Sequence, residues 1–223
     1  MGSPDVGTVD FGDLRRTKPV SSVFGFDRGT PIDRYYITAF LNDERSSIKG
    51  RVLEIGDREY TTQFGGEAVM RSDVLHFPPG AKGATIVADL TDAPEIPDSS
   101  FDCIIITQTL HFTYRMEAMV AEIARILAPG GVVLCTVPGI SQISRYDMDR
   151  WGDYWRLTDR SARELFETAF FGELVTVRTY GNVLAATALL HGLATSELTV
   201  GELETNDADY QVIVAITATK DQR

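Results

Sequence analysis

The run "FDCIIIT", residues 101–107, constrains this chain more than any other stretch. It has the length of a strand and almost no polar interruption, so both of its alternating faces need apolar cover. Such a strand belongs at the centre of a parallel sheet with helices packed on both sides. The neighbouring segments agree, because strand-like runs alternate with helical periodicity along the chain. Strands are expected at 51–55 ("RVLEI"), 67–74 ("EAVMRSDV", ending near Asp73), 83–90 ("GATIVADL", ending near Asp89), 101–107, 132–137 ("VVLCTV"), 173–180 ("ELVTVRTY") and 210–220 ("YQVIVAITATK"). One helix opens at Pro31 or Ile32 with Ile32, Tyr36 and Phe40 on one face. A second spans 115–127, where Met116, Met119, Val120, Ile123, Ile126 and Leu127 recur at helical spacing before "APGG" stops it. Further helices are expected at 158–170, behind a Thr158 cap, and at 182–194, while 197–207 reads as a polar connection. No internal repeat or low-complexity tract breaks the pattern.

With 43% hydrophobic residues among 223, the chain can bury a full core. Its formal net charge of -11 repels phosphate backbones, so a general nucleic-acid binder is not expected and small-molecule chemistry is favoured. The N-terminal stretch "MGSPDVGTVDFGDLRR" has no apolar targeting region, and no apolar run is long enough to span a bilayer, so a cytoplasmic protein without a membrane partner is expected. Cys103 and Cys135 sit inside aliphatic runs, which reads as buried reduced thiols rather than a metal site.

The first strand leads into "GRVLEIGDREYTTQFGG", Gly50 to Gly66. An apolar strand carrying Glu54 and closing on Gly56 begins like a nucleotide-binding turn, yet the G-x-G-x-x-G fingerprint is absent and Arg58, Glu59 and Tyr60 stand where close backbone approach to a pyrophosphate would need glycine. A dinucleotide is therefore not the expected ligand, and a nicotinamide oxidoreductase is disfavoured. An acid within an apolar strand is costly unless it is paired or faces a polar ligand, so Glu54 is marked as functional by its position alone.

The order "VLEIG", Asp73, "ADL", "IPDSSFDCIIITQTLHF" and "AEIARILAPGGVVLCTVPG" resembles the class I S-adenosylmethionine-dependent methyltransferases, specifically the type 11 group, from about Gly50 to Gly139. The resemblance implies an α/β fold: a Rossmann-like sheet of seven strands, mostly parallel with the last antiparallel, and helices on both faces. Residues 1–49 would then be an N-terminal segment and helix forming a lid, and 50–223 the methyltransferase domain with a substrate-binding insertion around 140–157. The implied cofactor is S-adenosyl-L-methionine, which has no phosphate and needs one close backbone approach and several polar contacts. By the resemblance, Glu54 and Gly56 line its methionine side, Asp73 accepts the ribose hydroxyls, Asp89 and Leu90 hold the adenine, and Thr107 and Gln108 border the methionine tail. The bland alternative for Asp73 and Asp89 is a helix cap or turn.

The implied reaction is transfer of a methyl group to oxygen or nitrogen of a small-molecule, natural-product or glycan-type acceptor. His111, just beyond the central strand, is a candidate base or a packing residue. Arg28, Arg34, Tyr35, Tyr146, Trp151 and Trp155 are candidate walls of the acceptor pocket, although the aromatics can equally fill core. Arginines in an acidic chain, with Arg145, Arg150 and Arg156 among them, point to an acceptor bearing a carboxylate or other anion. The alternative is a methyltransferase-like protein that binds cofactor or a partner without catalysis.

Overall fold

The computed structural model describes residues 2–80 and 82–222. Seven strands form one sheet: β1 (Gly50–Ile55), β2 (Val69–His76), β3 (Ile86–Val87), β4 (Phe101–Thr107), β5 (Leu127–Pro138), β6 (Val175–Tyr180) and β7 (Ile213–Thr219), in the spatial order β3-β2-β1-β4-β5-β7-β6. β1 to β5 are mutually parallel, and β7 runs antiparallel to both β5 and β6. The expected Rossmann-like sheet with an antiparallel last strand is therefore present.

Among the described residues six α-helices surround it: α1 (Ile32–Asp43), α2 (Met116–Ile126), α3 (Arg145–Met148), α4 (Asp159–Glu167), α5 (Val183–His191) and α6 (Val200–Glu204). The strand singled out by its composition lies centrally, and its side chains divide between two cores as the pleat requires. Ile104 and Ile106 pack with α2 and α4, whereas Cys103 and Ile105 pack with α1 and α5. Both thiols are buried and free. Residues 103–106 have no solvent exposure, and full burial of one large aliphatic side chain is worth about 1.5–3 kcal/mol.

Several boundaries differ from those read in the sequence, and one of them matters for function. β2 continues past Asp73 to His76, because Leu75 still pairs with Ile55 of β1 and Ile86 of β3. Asp73 therefore lies opposite Leu53 in mid-strand, short of the sheet edge. β3 is only Ile86–Val87, not a strand from 83 to 90. The helix before β5 stops at Ile126, and the "APGG" turn is absorbed as an irregularity within β5 between the pairs Phe101–Leu127 and Cys103–Val132. Residues 197–207 contain the short α6, closed by a capping box between Thr199 and Glu202. Between β1 and β2 the expected short helical stretch is present as one mixed segment over 59–68, with a π-type turn at Thr61–Gly65 followed by a 3-10 turn at Gly66–Ala68. No helix among the described residues is long and apolar enough to cross a membrane.

Candidate active site

Open parallel sheets gather ligands outside the carboxyl ends of their strands. Here that edge opens into a cavity of about 990 Å³. Its floor comes from the ends of β1, β4 and β5, through Glu54, Thr107 and Pro138; its walls come from Tyr60, Arg34 at the start of α1, and the 141–156 segment; Phe24 and Phe26 roof it.

Glu54 is 2% exposed and its carboxylate is fully engaged. Oε1 accepts the Tyr60 N–H at 3.1 Å, and Oε2 accepts the Thr61 N–H at 2.7 Å and the Thr61 hydroxyl at 2.6 Å. These bonds tie down the start of the short helical segment between β1 and β2. Burial raises the carboxyl above its ordinary range, while the Thr61 and Tyr60 donors oppose that rise. Gly56 follows in a left-handed conformation, φ +95°, with no heavy atom within 4 Å of where a Cβ would stand. Its N–H donates to Leu75 O at 2.9 Å. The bare backbone faces open space beside the cavity-lining Ile55 and Asp57.

Thr107 and Gln108 stand at the end of β4 and line the cavity. Gln108 has a positive φ of 47°, unusual for a side chain of its size, and is held by its N–H to Thr136 O at 2.8 Å. His111 also lines the cavity, from a 3-10 turn at Leu110–Phe112, and is 5% exposed. Its Nδ1 is buried without a hydrogen-bond partner among the described residues. Burial pushes its imidazole down to about 3, with Asp153 opposing and Arg156 reinforcing that shift. The ring is thus neutral across the physiological range and a weak proton acceptor.

Asp153 and Arg156 form a clamp beside it. Asp153 is buried and receives Arg156 Nη1 at 2.5 Å, Arg156 Nη2 at 2.9 Å and the Ser144 N–H at 3.1 Å. Burial opposes ionisation of Asp153, but Arg156 and the Ser144 amide hold its carboxyl below the ordinary range. Arg156 further donates to the Gln142 carbonyl at 2.7 Å. The clamp fixes the loop after β5 against the cavity, and sequence reading found only its arginine. The Asp-x-x-Arg spacing in "DYWR" was the available signal.

The structure does not bring every expected residue to the cavity. Asp73 is 1% exposed and lies within the sheet, where Oδ2 accepts Arg51 Nε at 2.8 Å and Oδ1 accepts Arg71 Nη2 and the Thr85 hydroxyl, each at 3.1 Å. Burial opposes its ionisation, and those three donors outweigh burial to hold it below the usual carboxylate range. Each of its carboxylate oxygens is thus bound by neighbours within the sheet. Asp89 is exposed in the turn after β3, where Oδ1 accepts the Thr91 N–H and hydroxyl at 2.9 Å each, and Leu90 is buried in the core. Neither lines the cavity. Of the acceptor-wall candidates, Arg34 and Tyr146 line it. Arg28 turns away to ion-pair with Glu197, Tyr35 packs on Tyr36 at 5.6 Å, and Trp155 packs against the core near Tyr114. Trp151 supports the wall from behind, at 6.2 Å from Tyr146 and 6.4 Å from Phe112.

A seven-stranded sheet in this order, with its antiparallel β7 and a cavity over the ends of β1 and β4, is the fold of class I S-adenosylmethionine-dependent methyltransferases. Residues 66–135 match the Methyltransf_11 family, described as a methyltransferase domain. An S-adenosylmethionine-dependent methyltransferase from Archaeoglobus fulgidus superimposes with a TM-score of 0.56 at 13% identity, over 84% of this chain and 94% of that one. Haemonchus contortus phosphoethanolamine N-methyltransferase 2, solved with phosphomonomethylethanolamine and S-adenosylhomocysteine, gives a TM-score of 0.54 at 14% identity, over 86% of this chain and 54% of that one. In sequence, a fatty-acid O-methyltransferase of Mycolicibacterium smegmatis is 33% identical over 66 residues, which are 30% of this chain. This chain spans 22% of that relative's length in the match.

Proposed function

We propose that this chain is an S-adenosylmethionine-dependent methyltransferase acting at oxygen or nitrogen of a small acceptor. The observation that carries the reading is the cavity over the carboxyl ends of β1, β4 and β5, lined by Glu54, Ile55 and Asp57 around the left-handed Gly56 and by Thr107 and Gln108. The residues present fit the cofactor on its methionine side. Gly56 would give backbone approach, Thr107 and Gln108 would border the tail, and Glu54 would act indirectly by fixing the turn that bears Tyr60. Asp89, on the turn after β3, is assigned to the adenosine end with Leu90 behind it. Asp73 is given no part in binding.

When bound, the cofactor supplies a methyl group activated by its sulfonium. The chain's share is alignment and exclusion of water. His111 lines the cavity as a neutral imidazole, so it helps to orient the nucleophile more readily than it removes a strongly held proton. The segment from Phe11 to Tyr36 serves as a lid, and Phe24 and Phe26 already reach over the cavity. The acceptor side is served by Arg34 and Tyr146. The fatty-acid O-methyltransferase likeness makes an acceptor carboxylate the first class to try, and two buried free thiols suit a reducing cytoplasmic setting.

Calorimetry with S-adenosylhomocysteine, followed by transfer of labelled methyl to a panel of fatty, aromatic and sugar acids, tests the reading. Saturable binding with transfer to one class is the expected result. Binding without transfer across broad acceptor panels would favour a non-catalytic cofactor-binding protein, and absence of binding would end the proposal.

A further inference from the structure

The cavity is lined by three arginines, Arg34, Arg145 and Arg156, and two of them are already matched to carboxylates. Arg156 holds Asp153 and Arg145 holds Asp149. Arg34 makes no ion pair among the described residues, although it sits on the wall of the cavity in a chain of net charge -11. Its guanidinium is placed by two neutral groups instead: Nη1 donates to the Tyr60 hydroxyl at 3.2 Å, and the Phe26 ring centre lies 6.0 Å from its Cζ. Asp33 is adjacent and spends Oδ1 on the Arg34 backbone N–H at 2.9 Å; Asp33 and Glu59 favour the guanidinium's charge through space without forming an ion pair with it.

Its charge has anionic neighbours, but among the described residues only one of its donors is used, on the Tyr60 hydroxyl, so the guanidinium fork is left available to a further partner. Arg34 occupies the first turn of α1, where the helix dipole disfavours a cation, and α1 has no side-chain cap. It is half-buried, so water screens it poorly. Tyr60 follows directly from the Glu54-anchored turn, and Phe26 belongs to the roof; Arg34 therefore joins the cofactor side of the cavity to the lid. Planar fork geometry with donors to spare is the arrangement that accepts a carboxylate.

We propose that Arg34 is the carboxylate anchor of this cavity. The inference rests on the methyl-transfer reading for the identity of its ligands. The carboxylate has two sources, the amino-acid end of the cofactor or the acid group of the acceptor, and both offer the same chemistry to the guanidinium. Engagement would also draw Phe26 and the roof inward, since the roof contacts the same side chain.

Arg34→Gln and Arg34→Lys separate the possibilities, with thermal unfolding as the check on folding. The probes are S-adenosylhomocysteine, 5′-methylthioadenosine, which keeps the nucleoside thioether but lacks the carboxylate, and dodecanoate beside dodecanol. A loss of about tenfold or more for S-adenosylhomocysteine in Arg34→Gln, with 5′-methylthioadenosine unchanged and partial rescue by lysine, supports the cofactor source. The same loss confined to dodecanoate, with dodecanol unchanged, supports the acceptor source. Unchanged affinity for both carboxylates, or equal weakening of each carboxylate and its neutral counterpart, overturns the proposal. If the unsubstituted protein binds neither nucleoside, the methyl-transfer reading fails by itself, and the dodecanoate comparison still decides what Arg34 does.

Discussion

Replacing Asp73 with asparagine distinguishes a ligand-binding acid from a structural one. The side chain is 2% exposed and bridges Arg51, 33% exposed, and Arg71, 63% exposed, while also accepting the Thr85 hydroxyl. Asparagine keeps one acceptor oxygen but turns an NH2 group toward a guanidinium. Breaking a fully buried pair costs about 3–5 kcal/mol, but here both arginines reach solvent and can rehydrate, so a loss of about 2–3 kcal/mol is expected. Urea denaturation should show a lower midpoint at unchanged slope. The carboxyl is held below its unfolded value, so its stabilising contribution is present above about pH 4 and is lost as pH falls further. Asp73→Asn should therefore flatten the acid limb of the stability curve. Affinity for S-adenosylhomocysteine, measured where both forms are folded, should stay within about threefold, a shift below 0.7 kcal/mol. A tenfold loss of affinity without loss of stability would refute the reasoning and return Asp73 to the ligand.

Gly56→Ala should weaken S-adenosylhomocysteine binding by about tenfold and cost about 1 kcal/mol or more of stability, because φ +95° strains an alanine and shifts the turn between the cavity-lining Ile55 and Asp57; calorimetry and urea melts read both effects. For His111, the folded form stays neutral while the unfolded form takes up a proton below about pH 6.5, so stability falls with pH from there toward about 3, at up to roughly 1.4 kcal/mol per pH unit. His111→Asn should make that slope shallower, and the pH–rate profile near neutrality should be the same in both proteins; an inflection near pH 6.5 that vanishes in the variant would restore the base assignment. Amide exchange at residues 22–26 should slow with bound product and acceptor, whereas Val20 and Ser21, already donating to His191 O at 2.8 and 3.1 Å, should change little. Equal slowing throughout 11–36 would place the hinge elsewhere.

The alternation of strands and helices and the central place of β4 were legible in the residues, while the seven-stranded order with an antiparallel last strand followed from the family resemblance. Alternating apolar periods specify strands and helices locally, and the unbroken run at 101–107 could be satisfied only by cover on both faces. The sequence also marked Glu54 as an acid with a task, since an ionisable group in a buried strand must find partners. What it could not say was which partners, because Glu54 meets the amides of Tyr60 and Thr61 only once the turn has folded back. Asp73 shows the same limit at a strand end. Its distance from the sheet edge depends on how far β2 remains paired, and that was decided by Leu75 lying between Ile55 and Ile86, residues distant in the chain. Arg28 and Arg34 are alike in composition and six residues apart, yet one meets Glu197 and the other faces the cavity without an ion pair among the described residues. Local propensity fixes the elements over a few residues; pairing, register and charge matching act between segments that only the tertiary fold brings together.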